Sequence, residues 1–158
     1  MEAEETRGKP SAPITNGQGE KSHNLKVLSA KLGEYLASRN DVVLAFLFGS
    51  YPKGKATGRS DVDVAVYFSR AYNLATVNEL TSALETLLQK NVDLIVLNEA
   101  NPSVAWAALR GIPLLIRDRA FYLQYMLDVS REAEDFGEFI DDLWRLRHER
   151  RRRNKDLS

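Results

Sequence analysis

Three aspartates carry the clearest chemical possibility in this chain. Asp61 and Asp63 flank Val62 at the head of an apolar run that continues to Phe68, and Asp93 interrupts a second run, Val92 to Leu97. In an extended strand, residues two apart share a face, so Asp61 and Asp63 are expected on one side with Val62 and Val64 on the other. A carboxylate inside a buried strand needs a partner or a cation, and this singles out Asp93. The three together offer hard oxygen ligands suited to Mg2+ or Mn2+ held with the phosphates of a nucleotide. Solvated aspartates at strand ends are the plain alternative.

A second group lies upstream. The apolar run Val42 to Phe48 stops abruptly at Gly49-Ser50, and the loop from there to Ser60 carries Gly54, Gly58, Pro52 and the basic residues Lys53, Lys55 and Arg59. A glycine at the turn lets backbone N–H groups approach phosphate oxygens closely, and the Ser50 hydroxyl adds a donor. Lys53, Lys55 and Arg59 are placed to contact β- and γ-phosphates, or else are solvated loop charges. Gly49 to Gly54-Lys55 imitates the opening of a P-loop, but Ala56 stands where that motif needs Ser or Thr for Mg2+, and Pro52 removes one N–H from the cradle. Nucleotidyl transfer suits these residue types better. It needs an α-phosphate in line with an attacking hydroxyl, and it needs the charge of the triphosphate and the leaving pyrophosphate neutralised.

Regular elements must position these groups. Leu25, Leu28, Leu32, Tyr35 and Leu36 recur at three- and four-residue spacing, which predicts an amphipathic helix from His23 to Arg39 with Asn24 as a cap. Val42 to Phe48 reads as a strand covered on both faces. After the loop, Val62 to Phe68 is a second strand, Asn73 to Gln89 a second helix with a leucine stripe, and Val92 to Leu97 a third strand. Pro102 opens a short helix to Leu109. Ile112 to Ile116 is expected as an edge strand, because Pro113 cannot donate a ladder hydrogen bond. From Phe121 to about His148 the apolar residues keep near-helical period, broken at Gly137, as one bent helix or two in succession.

Gly49-Ser50, then Gly54, then Ser60-Asp61-Val62-Asp63 at the head of an apolar strand resembles the signature of the minimal nucleotidyltransferases of the DNA polymerase β-like superfamily, and Asp93 matches their third carboxylate. The resemblance is specific from Gly49 to Val66 and follows the element order from about Leu25 to Ile116. It implies an α/β (α+β) nucleotidyltransferase fold, a mixed sheet of about four strands flanked by helices with a long C-terminal helical segment. It implies that Ser50 binds phosphate, that Asp61, Asp63 and Asp93 hold the metal, and that Asp93 is the third ligand or the base; Gly49, Lys53, Arg59 and Ser60 join Ser50 as the expected nucleotide-binding set. The loop is similar to the antitoxin branch of MNT/HEPN toxin–antitoxin pairs, in which ATP is the AMP donor, Mg2+ the metal (Mn2+ as substitute) and a tyrosine of the HEPN ribonuclease toxin the acceptor. A hetero-oligomer with that toxin is therefore expected. The alternatives are a module that neutralises its toxin by occlusion alone, or transfer to a small molecule or an RNA end. No separate acceptor-binding domain is expected after the catalytic stretch, which favours a protein acceptor.

Composition narrows the field. At 158 residues with 44% hydrophobic content, the chain suits one domain. Residues 1–22, rich in Gly, Pro, Ser, Glu and Lys, are expected as a disordered tail; 23–118 form the nucleotidyltransferase core, 119–150 the C-terminal helical segment and 151–158 a basic tail. Lys+Arg and Asp+Glu balance at 22 each, so net charge gives no reason to expect nucleic acid or a membrane surface. The six arginines from Arg145 to Arg153 fit a helix C-terminus in solvent, with an acidic partner or RNA as the alternative. Without cysteine there is no disulfide framework and no thiolate site. No apolar run reaches membrane-spanning length and no secretory h-region follows Met1, so a cytoplasmic protein is expected. His23 and His148 are too far apart in sequence to suggest a shared metal site, and Trp106 and Trp144 fit packing on helix faces.

Overall fold

The computed structural model describes residues 17–57, 59–133 and 145. Its elements are α1 (Gly17–Ala37), β1 (Val42–Phe48), β2 (Val62–Phe68), α2 (Leu74–Leu88), β3 (Val92–Val96), α3 (Pro102–Leu109), β4 (Ile112–Ile116) and α4 (Arg119–Ala133). One four-stranded mixed sheet runs in the order β3-β2-β1-β4, with β1 antiparallel to both β2 and β4, and β2 parallel to β3. The fold is thus α/β with helices on both faces of the sheet, and β4 lies at an edge as Pro113 requires.

The alternation of the central strands builds two cores. Val62, Val64 and Val66 of β2 pack with Leu32 and Leu36 of α1 and Leu80 and Leu84 of α2. On the opposite face, Phe46 and Phe48 of β1, Ala65 of β2 and Ile95 of β3 meet Ala105, Ala108 and Leu109 of α3 and Val129 of α4. Burying each large aliphatic side chain is worth about 1.5–3 kcal/mol, so both layers hold the sheet from either side. Tyr125 fastens α4: its hydroxyl donates to the Leu97 carbonyl at 3.2 Å, and burial pushes the phenol up to about 12.

Local chemistry sets the ends. Asn73 and Asn101 cap α2 and α3 by accepting the N–H groups of Thr76 and Val104, and Pro102 occupies the first turn of α3. Arg117 replaces a helix cap at the other end of α1, donating to the carbonyls of Ala37, Arg39 and Val42. The start of α1 differs from the expectation at His23: the helix begins at Gly17, and Gly19 to Asn24 are exposed. Once the packed part is formed, each further residue adds a hydrogen bond without a new nucleation cost, so the helix runs on past its apolar stripe. Residues 17–22, expected in the disordered tail, are the first turns of α1, whereas residues 1–16, the helical continuation beyond Ala133 and the basic tail lie outside the described residues, apart from Arg145.

Candidate active site

The site lies where β1 ends and β2 and β3 begin. Parallel pairing puts Asp63 directly opposite Asp93, and antiparallel pairing puts Phe48 opposite Asp63. Both aspartates are on the face covered by α3 and α4, since Ala65 and Ile95, two residues further along each strand, belong to that core. Asp63 is 0% exposed and Asp93 3%, and they are the charged residues in the core of the described chain. Paired strands lie about 4.7–4.9 Å apart, so two like charges are held as close neighbours away from water. Such a pair is disfavoured when both groups are ionised unless a cation balances it.

Gly49 is shaped by this pair. Its φ of +81° is in the left-handed region, and a Cβ there would collide with the Asp63 carboxylate. Only a glycine lets the chain turn out of β1 while this carboxylate lies against its backbone. The residues from Gly49 to Gly54 form a turn in which Lys55 N–H donates to the Ser50 carbonyl at 3.0 Å and Gly54 N–H to that of Tyr51 at 3.1 Å. Ser50 is half-buried beside it, whereas Lys53, Lys55 and Arg59 are exposed.

Sequence reasoning missed what closes this loop. Thr57 N–H donates to Ser60 Oγ at 2.8 Å, Ser60 N–H donates to the Thr57 carbonyl at 3.0 Å, and the two hydroxyls are 3.3 Å apart. Tyr51, packed against the α1/α2 core, reaches across to donate to the Ser60 carbonyl at 3.4 Å. Ser60 is therefore engaged as a clasp that delivers the chain into Asp61. The cue was present in Thr57-x-x-Ser60, a pair of hydroxyl residues at turn spacing.

The expected three-carboxylate set is only partly assembled. Asp63 and Asp93 are brought together by the sheet, but Asp61 precedes β2 and is half-buried, so its place is set by the loop. Among the described residues no three His, Cys, Asp or Glu side chains are grouped tightly enough to hold a metal ion. The donor chemistry nevertheless fits a hard divalent cation, with two buried carboxylates fixed by strand register and a third on a neighbouring loop end.

A family model for polymerase beta and nucleotidyltransferases matches residues 30–120. The chain belongs to that family. The matched stretch runs from α1 into α4 and includes every strand and all three aspartates of this nucleotidyltransferase. The protein adenylyltransferase MntA of Thermococcus cleftensis is 38% identical over 66 residues, which cover 42% of this chain and 67% of that protein. Among solved structures, a tri-AMPylated HEPN toxin of Shewanella oneidensis in complex with its MNT antitoxin is similar over 84% of this chain and 98% of the matched chain, with 20% identity and a TM-score of 0.54. A toxin–antitoxin complex with AMP-PNP is similar over 85% and 96%, with 22% identity and the same TM-score. These two likenesses show the fold. No helix among the described residues of this nucleotidyltransferase is long and apolar enough to cross a membrane.

Proposed function

We propose that this chain is a cytoplasmic Mg-ATP-dependent protein adenylyltransferase that moves AMP onto a tyrosine hydroxyl of a HEPN-type ribonuclease toxin, and so acts as its antitoxin. The observation that carries the reading is the buried pair Asp63–Asp93, set side by side by strand register against a glycine that only an absent Cβ makes possible. Its support from relatives is the name protein adenylyltransferase on a protein 38% identical over 66 residues, and a fold shared with a chain of the complex between an AMPylated HEPN toxin and an MNT antitoxin.

The residues divide the work as follows. Gly49 and Ser50 present backbone N–H groups and a hydroxyl to the phosphates, and Lys53 and Arg59 offer positive charge to the β- and γ-phosphates. Ser60 holds the loop shut behind Asp61. Asp61, Asp63 and Asp93 would hold Mg2+, which when bound neutralises charge on the triphosphate and on the pyrophosphate that leaves. Asp93 accepts the phenolic proton as the tyrosine oxygen attacks the α-phosphorus. The new bond is oxygen to α-phosphorus, the bond broken joins α-phosphorus to the bridging oxygen, and pyrophosphate departs with that electron pair. General-base assistance of this kind is worth roughly 10²–10⁴-fold.

The test is incubation of the full-length protein with α-labelled ATP, Mg2+ and the product of the adjacent gene, which the proposal expects to be a HEPN-type ribonuclease. Label is expected on a tyrosine of the HEPN protein with wild type and not with the Asp61→Asn/Asp63→Asn double variant. No label with wild type, or undiminished label with the double variant, would refute the proposal. Full neutralisation of the toxin by an inactive double variant would favour occlusion instead.

A further inference from the structure

The third carboxylate is held differently from the other two. Sheet register fixes Asp63 against Asp93, whereas Asp61 stands before β2, at the end of the loop that Gly49 and Ser50 begin. Gly54 within that loop has a φ of +69° and open space around it, and a backbone so permissive does not by itself hold the loop's two ends at one spacing. Each end closes on itself. Lys55 N–H on the Ser50 carbonyl and Gly54 N–H on the Tyr51 carbonyl shape the first, and the bonds between Thr57 and Ser60 shape the second. Tyr51 joins them. Its backbone belongs to the first turn, its half-buried ring packs on the cluster that contains Val62, Leu80 and Leu84, and its hydroxyl donates to the Ser60 carbonyl in the second turn at 3.4 Å. Val62, the residue directly after Asp61, is 0% exposed in that same cluster. The core that seats Tyr51 therefore also seats the start of β2, and it lies on the sheet face opposite the Asp63–Asp93 pair.

We infer that Tyr51 is a positioning residue of the metal site: through Ser60 it sets the place of Asp61, and with it the affinity for the divalent cation. The inference rests on the reading of Asp61 as a metal ligand given above. Mg2+ requires near-ideal geometry, with oxygens at about 2.0–2.1 Å, so a misplaced ligand is a lost one. Two of the three carboxylates are on strands that cannot shift without breaking the sheet. The third is on a loop, and the apparent affinity falls in proportion to the fraction of time that it is out of place. Groups that orient a metal's ligands can matter to affinity nearly as much as the ligands. The residue type fits this task. The ring anchors the first turn in the core, and a hydroxyl at the end of that rigid ring carries the anchor across to the second. A side chain needed for packing alone would have no use for the hydroxyl.

The test compares full-length wild type with Tyr51→Phe and Tyr51→Ala. Calorimetric titration with a non-hydrolysable ATP analogue over a series of Mg2+ concentrations gives the Mg2+ needed for half-maximal binding. Tyr51→Phe keeps the ring and removes the hydroxyl, so it is expected to raise that concentration by about three- to tenfold with the melting temperature unchanged. Tyr51→Ala is expected to raise it further and, without any ligand, to speed limited trypsin cleavage after the exposed Lys53, Lys55 and Arg59. Saturating Mg2+ should return AMP transfer by Tyr51→Phe to the wild-type rate, because a positioning residue is not part of the chemical step. An unchanged Mg2+ requirement in Tyr51→Phe would overturn the inference and leave the ring a packing group, and so would trypsin cleavage of Tyr51→Ala at the wild-type rate. A loss of analogue affinity that is the same at every Mg2+ concentration would overturn it too, and would give Tyr51 to the nucleotide. Absence of Mg2+-dependent analogue binding by wild type is the separate failure of the metal-site reading, and the inference falls with it.

Discussion

The two faces of β2 come from one seven-residue strand and serve opposite ends. Toward α1 and α2 it presents Val62, Val64 and Val66, which need only shape and apolar area, and they are completely buried among leucines. Toward α3 and α4 it presents Asp63 before Ala65 and Tyr67, so a charge stands at the head of a face that is otherwise just as apolar. A position selected for stability alone would hold another valine there. The contrast teaches that the first face can be expected to govern folding and the second to govern chemistry, and substitutions can separate them.

The largest effect is expected at the base. Asp93→Asn should lower single-turnover AMP transfer by roughly 10²–10⁴-fold at saturating Mg-ATP, beyond any loss of affinity for a non-hydrolysable ATP analogue through its share in the metal site. Full transfer at saturating Mg-ATP would leave Asp93 a metal ligand and not the base. On the other face, Leu84→Ala should cost about 2–5 kcal/mol in denaturant unfolding, with transfer per folded molecule unchanged. A fall in transfer at full folding would break the division between the faces.

Two glycines sharpen it further. Gly49 and Gly54 both have positive φ, +81° and +69°, but a Cβ at Gly54 meets open space and one at Gly49 meets Asp63. Gly54→Ala should therefore cost about 1–2 kcal/mol of backbone strain and leave transfer nearly intact. Gly49→Ala should cost more and also displace the carboxylate, so that transfer falls further than stability. Equal behaviour of the two variants would mean that the contact with Asp63 has no consequence.

Much of this was legible in the sequence, for physical reasons that can be named. The limits of β1, β2, α3 and β4 followed from apolar runs ended by Gly, Asp or Pro, because those residues end strands and start helices by their own backbone restrictions. The aspartates stood out because a charge in an apolar strand has few explanations. Strand neighbours were not legible: nothing local in Val92 to Val96 says that β3 pairs with β2 in parallel, yet that pairing makes Asp63 and Asp93 a couple. Nor was the engagement of Ser60 by Thr57 and Tyr51, which depends on how the loop folds back. The early start of α1 was hidden because Gly17 to Asn24 carry no apolar stripe to announce it.

The smallest effect concerns pH and lies away from the site. Arg39 donates to both Asp41 oxygens, at 3.0 and 2.9 Å, and this hydrogen-bonded guanidinium holds the Asp41 carboxyl below its ordinary 3.8. A carboxyl with a depressed folded-state pKa stabilises the fold at pH above 3.8, and that contribution is lost as the pH falls through the lower folded value. Arg39→Met should thus cost about 0.2–1 kcal/mol near pH 7 in chemical denaturation, and the difference from wild type should vanish once Asp41 is protonated in both states. A difference that persists in acid would assign the loss to packing of the Arg39 stem.

The most direct measurement is the thermal melting of wild type and Asp63→Asn, each with and without Mg2+ and a non-hydrolysable ATP analogue. A ligand that binds only the folded state raises the melting temperature by mass action. If Asp63 is held in the sheet for chemistry, wild type should gain several degrees with the ligands and Asp63→Asn none, while the unliganded variant melts at or above wild type because a buried like charge has been removed. An unliganded Asp63→Asn that melts well below wild type yet keeps the ligand-induced rise would contradict the account.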